Sequence, residues 1–332
     1  MKTWTIGDEV FATDLNANFD VTQNIHFGDG SDGTYTLDGT QAAVAGLFSK
    51  SGSTYTLLRD AYFNTLIINS GVILQTQNFR LFGKTEVRNN GTIQCNGGNA
   101  TLDIGGTAVP TGTFATVGNG PNGGYNGASG AGAYAAGASL NANPSAIGSN
   151  GSAAGAEGTA SVGTGNGGGT RTPTTVNPIA DYNNLRTMLQ IAVGSTPVRM
   201  LTSAGAGAAS GASSISGPYT CGKGGGAGAV GGTIGIFAKL WSGNGTVEAK
   251  GGNGGTGGGL GTYACNGAGG GGGGNGGFIF IFFATKTYTG TLNVSGGTGG
   301  AGGPRAVTGG GGWADGGAGA PGSTGNTLEI NV

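Results

Sequence analysis

Charge is scarce in this sequence, and its scarcity excludes several classes of protein. Charged residues make up 9% of the 332 residues, well under the usual quarter, and the net charge is −1. No cluster of Lys and Arg is present to contact a phosphate backbone. No apolar stretch approaches the roughly 20 residues of a membrane-spanning helix. We therefore expect neither nucleic acid nor membrane insertion.

Groups that carry out catalysis are equally rare. His26 is the only histidine, so histidine-dependent nucleophile chemistry would depend on it alone. The glycine-rich stretch 251–255 lacks the Asp of calcium-binding nonapeptides. The carboxylates after residue 104 show no glycosidase-like pair in their spacing: Glu157, Asp181, Glu248, Asp315 and Glu329. The sequence predicts a protein that is not an enzyme and that uses no cofactor or metal.

Cysteine is also scarce: there are three, which is too few and an odd number for a disulfide framework. Cys221 and Cys265 occupy matching positions of an internal repeat. Stacking could bring them within disulfide distance, or they could be two small buried apolar residues, as a reducing compartment favours. The first nine residues, MKTWTIGDE, lack the apolar core of a signal peptide. We expect assembly in a cytoplasm.

Glycine, in contrast, is abundant and unevenly distributed. It accounts for 80 residues, of which only 9 lie in residues 1–90. The change in composition predicts three regions: an N-terminal attachment and trimerisation segment at 1–52, a β-rich module at 53–103 and a glycine-rich repeat domain at 104–332.

Hydrophobic periodicity predicts mostly strands. Phe11, Leu15 and Phe19 form one stripe on a short helix within residues 8–25, and residues 179–191 are a second helical candidate. The first helix is too short to be stable alone, and three copies around an axis would bury its stripe. Short strands separated by Asn, Ser and Gly turns are predicted at 66–68, 72–74, 79–82, 85–87 and 92–95.

An internal repeat carries the most information. Residues 231–237 recur at 276–282, and residues 245–252 recur at 290–297, both 45 positions apart. Residues 91–98 are an early relative of the second half, and a third, incomplete copy ends the chain at 327–332. One unit cannot bury its own strands, so neighbouring units must stack. Residues 278–283 are apolar on both faces, which predicts a core on one side and a second chain or a glycine layer on the other.

Runs of glycine must recover a large backbone entropy if they are ordered. Side-by-side polyproline-II helices of glycine can do so through close packing and backbone hydrogen bonds. The predicted fold is therefore all-β: elongated, β-solenoid-like strands with a polyglycine-II-like lattice, a short N-terminal helix and a homotrimeric assembly.

Three stretches resemble proteins of phage tails. Residues 4–10 (WTIGDEV) and 12–19 (ATDLNANF) resemble the opening of phage tail-fibre and minor tail proteins, where such a segment precedes a trimeric shaft. Residues 66–93 resemble a β-solenoid module of phage and bacterial surface proteins. The remainder is similar in composition to glycine-rich tail adhesins. The resemblance implies a virion protein whose N-terminus binds other virion structural proteins.

The function expected from these features is attachment of a virion to a host-surface glycan or protein. A purely structural virion protein, such as a head fibre, decoration protein or shaft component, is the alternative. Because the glycine-rich region has almost no charge, we expect receptor contacts there to use backbone groups, Asn, Thr, Ser and aromatic rings. The aromatic candidates for receptor binding are Tyr125, Tyr134, Tyr219, Tyr263 and Trp313.

Overall fold

The computed structural model describes residues 26–101, 224–258, 267–305 and 315–332. These residues contain twelve strands and almost no helix. The strands are β1 (Gly33–Leu37), β2 (Phe48–Ser51), β3 (Thr54–Leu57), β4 (Ala61–Ile68), β5 (Ile73–Gln75), β6 (Arg80–Asn89), β7 (Thr92–Gln94), β8 (Thr233–Ser242), β9 (Thr246–Glu248), β10 (Phe278–Lys286), β11 (Thr291–Asn293) and β12 (Asn326–Asn331).

The strands form two six-stranded sheets. The long-strand sheet has the order β1-β4-β6-β8-β10-β12, and all of its neighbours are parallel. The short-strand sheet has the order β11-β9-β7-β5-β3-β2 and is parallel except for the β2–β3 pair. From β3 onward the chain alternates between the sheets and adds one strand to each in turn. Each such circuit is called a rung below.

The core lies between the two sheets. Along the short-strand sheet Tyr55, Leu74, Ile93 and Val247 stack in register and are fully buried. Leu81, Ile236 and Ile281 form the facing stack on the long-strand sheet. Each buried aliphatic side chain contributes about 1.5–3 kcal/mol, so these stacks hold successive rungs together.

The repeat copies lie side by side in the register that their spacing predicts. Ile279 pairs with Ile234, and Thr291 with Thr246, each 45 residues apart. The early relative joins the same stack, since Thr92 pairs with Thr246. In both sheets the strands before residue 101 therefore pair directly with strands of the glycine-rich repeats.

One side of the stack has short corners. Gly91, Gly245 and Gly290 stand one above the other where the chain turns from the long strands to the short ones. A Cβ at Gly245 would overlap the carbonyl oxygen of Gly91. Glycine is required there because the backbones of successive corners touch.

On the other side, beyond β7, the corners are replaced by long glycine-rich excursions. Segments 95–101, 249–258 and 294–305 leave the short strands and stack as an outgoing layer. Segments 224–232, 267–277 and 315–325 return to the long strands as a second layer. Every third residue bonds across the layers: the N–H groups of Gly271 and Gly274 donate to the carbonyls of Gly255 (2.9 Å) and Gly252 (2.8 Å).

The same three-residue period links neighbours within a layer. The N–H groups of Gly225 and Gly228 donate to the carbonyls of Gly269 and Gly272, both at 2.9 Å. The N–H groups of Gly251 and Gly254 donate to Ser295 (2.9 Å) and Thr298 (2.8 Å). Each glycine-rich segment thus bonds both to its own layer and to the opposite one.

The prediction of a largely β chain is confirmed for the described residues. The strands predicted separately at 79–82 and 85–87 are one strand, β6, with an irregularity between Gly83 and Glu86. The register of pairing changes locally at this irregularity, as at a β-bulge, and the strand continues beyond it. The helices predicted at 8–25 and 179–191 lie outside the described residues.

Candidate functional site

The outer side of the short-strand sheet carries a regular array of polar side chains. Successive side chains of a strand point to opposite faces, so the residues flanking each core residue point outward. One outward column contains Thr54, Ile73, Thr92, Thr246 and Thr291, and the next contains Thr56, Gln75, Gln94, Glu248 and Asn293. All are half-buried or exposed.

The array continues over the outgoing glycine layer. Two glycines alternate there with one outward residue, and the registered outward residues include Asn96, Lys250 and Ser295, then Asn99, Asn253 and Thr298. Thr256 and Ala301 extend the array further from the sheets. We call the two strand columns and these outward residues together the polar face.

Asparagines of the polar face bind the next rung through its backbone. The N–H of Lys250 donates to Oδ1 of Asn96 (2.7 Å), and the N–H of Asn253 donates to Oδ1 of Asn99 (2.8 Å). The N–H of Thr298 donates in the same way to Oδ1 of Asn253 (2.9 Å). An outward N–H in the glycine layer is thereby satisfied by an amide side chain from the rung before it.

Several other polar side chains of the face bond to one another. The Thr56 hydroxyl donates to Oε1 of Gln75 (3.1 Å), and the Asn96 amide donates to Oε2 of Glu248 (3.1 Å). Glu248 pairs with the ammonium of Lys250 at 3.0 Å, so the two charges of the face neutralise each other. The face is therefore neutral and rich in groups that both donate and accept hydrogen bonds.

The opposite face has a different character. Tyr62, Phe82, Phe237 and Phe282 stack along the outer side of the long-strand sheet, with ring centroids 4.7, 4.7 and 5.3 Å apart. The returning layer continues it with Ala227 and Val230, which are also buried.

Residues 278–283 contribute to both sides of the long-strand sheet. Ile279, Ile281 and Phe283 belong to the core between the sheets, and Phe278, Phe280 and Phe282 to the outer aromatic cluster. Phe280 is 0% exposed in a single chain. This strand therefore needs no second chain to bury its outer face.

Charged side chains near the beginning of the described chain pair with one another. Arg59 binds Asp32, Arg80 binds Asp60 at 2.7 Å, and Arg88 binds Glu86 at 3.0 Å. The Ser242 hydroxyl donates to the same Glu86 at 2.6 Å. Arg59–Asp32, Arg80–Asp60 and Ser242–Glu86 connect neighbouring strands of the long-strand sheet or the residues that precede them, and Arg88–Glu86 lies within β6.

Three of the five carboxylates considered from the sequence are engaged in structural bonds, and the other two, Glu157 and Asp181, lie outside the described residues. Glu248 belongs to the polar face, Asp315 accepts the N–H of Arg305 (2.9 Å), and Glu329 pairs with Lys286 at 2.7 Å. Among the described residues no group of three His, Cys, Asp or Glu side chains could hold a metal ion. In the same part of the chain, no helix has the length and hydrophobicity needed to cross a membrane.

Two buried groups have strongly shifted acidities. Burial raises the pKa of the Cys95 thiol to about 11, and it raises the pKa of Tyr288 to about 12. Cys95 contacts Asn78, whose N–H donates to the sulfur at 3.3 Å, and Tyr288 donates its hydroxyl to the carbonyl of Gly245 at 2.7 Å. Both groups stay protonated at neutral pH and act as packing residues.

The aromatic candidates Tyr125, Tyr134, Tyr219, Tyr263 and Trp313 lie outside the described residues, as do Cys221 and Cys265. The described residues that flank them meet at one edge of the glycine layers. The N–H of Gly226 donates to the carbonyl of Thr101 (3.2 Å) and that of Ala268 to Gly258 (3.3 Å), while Arg305 bonds to Asp315.

Sequence reasoning missed the polar face, although a signal was present. Three short strands have Thr, one aliphatic residue and then Gln, Glu or Asn: TIQ in β7, TVE in β9 and TLN in β11. The pattern becomes visible as a surface only when parallel pairing places the three strands side by side.

Comparisons with known proteins give no match: no family model, no curated protein and no solved structure resembles this chain significantly.

Proposed function

We propose that this chain is a non-catalytic attachment protein of a phage tail fibre, and that its polar face contacts the host surface. In this proposal the two sheets are a β-solenoid, and the excursions are a polyglycine-II-like lattice. The observation that carries the proposal is the polar face itself. It is a regular array of polar side chains on paired strands, several of which hydrogen-bond to one another or to the backbone of the next rung.

A preorganised surface of this kind suits binding better than catalysis. The side chains that already hydrogen-bond within the face lose little further entropy when a ligand is bound. The carboxylates Glu248, Asp315 and Glu329 already bond to Lys250, Arg305 and Lys286. Their role is therefore to connect segments of the fold.

The five aromatic candidates belong to this proposal as additional contacts. Aromatic rings would add stacking to the hydrogen bonds of the face. We further propose that the N-terminus binds other virion proteins and that the chain forms a homotrimer, with a native mass about three times 31.8 kDa.

The test is adsorption of the labelled full-length protein to a panel of bacterial strains at low and high salt. We expect saturable adsorption to some strains, with little change on adding salt, because the face is neutral. Absence of adsorption from every strain, together with incorporation of the protein into virions, would instead support the purely structural role. Release of sugar fragments from the cells would contradict a non-catalytic protein.

A further inference from the structure

The polar face presents one kind of chemistry at a regular spacing. Hydroxyl groups recur along the column of Thr92, Thr246 and Thr291, and amide groups recur at Gln75 and Gln94 in the next column. Neighbouring strands lie about 4.8 Å apart, so these groups repeat at that interval along the stack. Hydroxyl and amide groups can each donate and accept hydrogen bonds, as the hydroxyl groups of a sugar do.

Charge narrows the range of ligands. The two charged residues of the polar face, Glu248 and Lys250, pair at 3.0 Å. An acidic polysaccharide, a nucleic acid or a phosphorylated ligand would need an excess of cationic side chains. The described face offers none, so it favours a neutral ligand.

The absence of anchoring residues from this face argues against a protein partner. Protein interfaces depend on a few Trp, Tyr or Arg residues in dry central pockets. Among the residues that define the polar face there is no aromatic side chain and no Arg, and its apolar members are Ile73 and Ala301. A polyhydroxylated polymer needs no such pockets, because many weak contacts along its length add up.

We infer that the polar face binds a neutral polysaccharide that spans several rungs. This inference rests on the proposed attachment role and specifies its ligand class. A single sugar meets only one or two rungs and is bound weakly. A polymer contacts several successive rungs at once, so its affinity rises with chain length up to the height of the stack.

The experiment measures binding of the full-length protein to mannan, galactomannan and dextran. Dextran sulfate serves as the negatively charged control for dextran. We expect at least one neutral polymer to bind, little change with salt, and at least tenfold weaker binding of its short oligosaccharides. Preference for dextran sulfate with a steep loss of binding in salt would overturn the inference.

A matched pair of variants locates the site. Thr92→Val, Thr246→Val and Thr291→Val together remove three hydroxyl groups of the polar face and keep the β-branched shape. Thr34→Val, Thr65→Val and Thr285→Val do the same on the outer side of the long-strand sheet. We expect both triple variants to melt as the wild type does, and only the first to lose polymer binding, by tenfold or more.

Equal binding by the two triple variants would overturn the assignment to this face. Failure of every neutral polymer, with adsorption to cells intact, would refute the neutral-polysaccharide ligand and leave the attachment role standing. If the wild-type protein neither binds a neutral polymer nor adsorbs to cells, the attachment role is refuted as well.

Discussion

At the scale of single residues, the close packing of the glycine layers depends on the absence of side chains. Gly274 donates its N–H to the carbonyl of Gly252 (2.8 Å), and its own carbonyl accepts from Gly297 (2.8 Å). A Cβ at Gly274 would overlap the carbonyl oxygen of Ala229. The backbones approach so closely that any side chain would push two segments apart.

Gly274→Ala should therefore destabilise the protein. Replacing Gly by Ala ordinarily stabilises by about 0.4–1 kcal/mol through the unfolded chain. Overpacking costs about 1–3 kcal/mol, which outweighs this gain, so the free energy of unfolding should fall. Denaturant titration of this variant and of Thr256→Ala, an exposed position of the outgoing layer, makes the comparison. Equal stability of the two variants would show that the layers do not pack at this distance.

Cys95 gives a second prediction at this scale. Its pKa is raised from 9.0 to about 11 by burial, so the folded state holds the thiol proton more tightly than the unfolded state does. This contribution to stability is complete below pH 9 and is lost as the pH rises from 9 to 11. The free energy of unfolding should fall more steeply over that range in the wild type than in Cys95→Ala.

Labelling provides an independent check on the same residue. At pH 8 iodoacetamide should modify Cys95 only after denaturant is added, because the thiolate is rare and its path is closed. Peptide mass mapping identifies which cysteine reacts. Rapid modification of Cys95 in the native protein would contradict its burial.

At the scale of elements, β10 shows how one strand serves two hydrophobic clusters. Ile281 belongs to the core between the sheets, and Phe280 to the aromatic cluster outside. Both are completely buried. The strand is apolar on both faces for this reason.

Phe280→Ala and Ile281→Ala should therefore be similarly damaging, each by about 2–5 kcal/mol. Thr285→Ala, at an exposed position of the same strand, should change the free energy of unfolding by less than about 0.5 kcal/mol. Thermal melting of the three variants measures this. A harmless Phe280→Ala would mean that the outer aromatic face is not buried within the chain.

At the scale of the whole molecule, the 45-residue offset between the β8–β9 rung and the β10–β11 rung makes one of these two rungs removable without a change of register. Deleting residues 246–290 joins Gly245 directly to Thr291. In the shortened chain Thr291 would take the place that Thr246 has in the intact stack. The remaining strands can then pair in their existing register, with β12 beside β8. Repeat proteins tolerate such deletions because each unit contacts only its neighbours.

We expect the shortened chain to fold cooperatively with a smaller denaturant dependence, since less surface is buried. Deleting residues 246–267 instead removes about half a rung and should prevent folding, because the β10 strand can no longer follow a short strand. Circular dichroism and denaturant titration distinguish the two. Collapse of both deletions to unfolded chains would refute the interchangeable rungs.

The strand content, the 45-residue unit and the need for stacking could be predicted from the sequence by itself. These properties follow from local order, since alternating apolar residues, turn residues and repeated spacing are written along the chain. The two apolar faces of residues 278–283 were predicted for the same reason. The five aromatic candidates and the trimer remain predictions, since they concern contacts that the described residues do not include.

Only the tertiary structure determined which segments of the chain are neighbours in space. It joined residues 80–87 into one strand and placed the outer face of β10 against Phe237, which itself stacks on Phe82. It also assembled the polar face from Thr92, Thr246 and Thr291, two of which lie 154 residues apart. The physical reason is parallel pairing, which brings distant segments into register, so a surface built across rungs is absent from any single stretch of the chain.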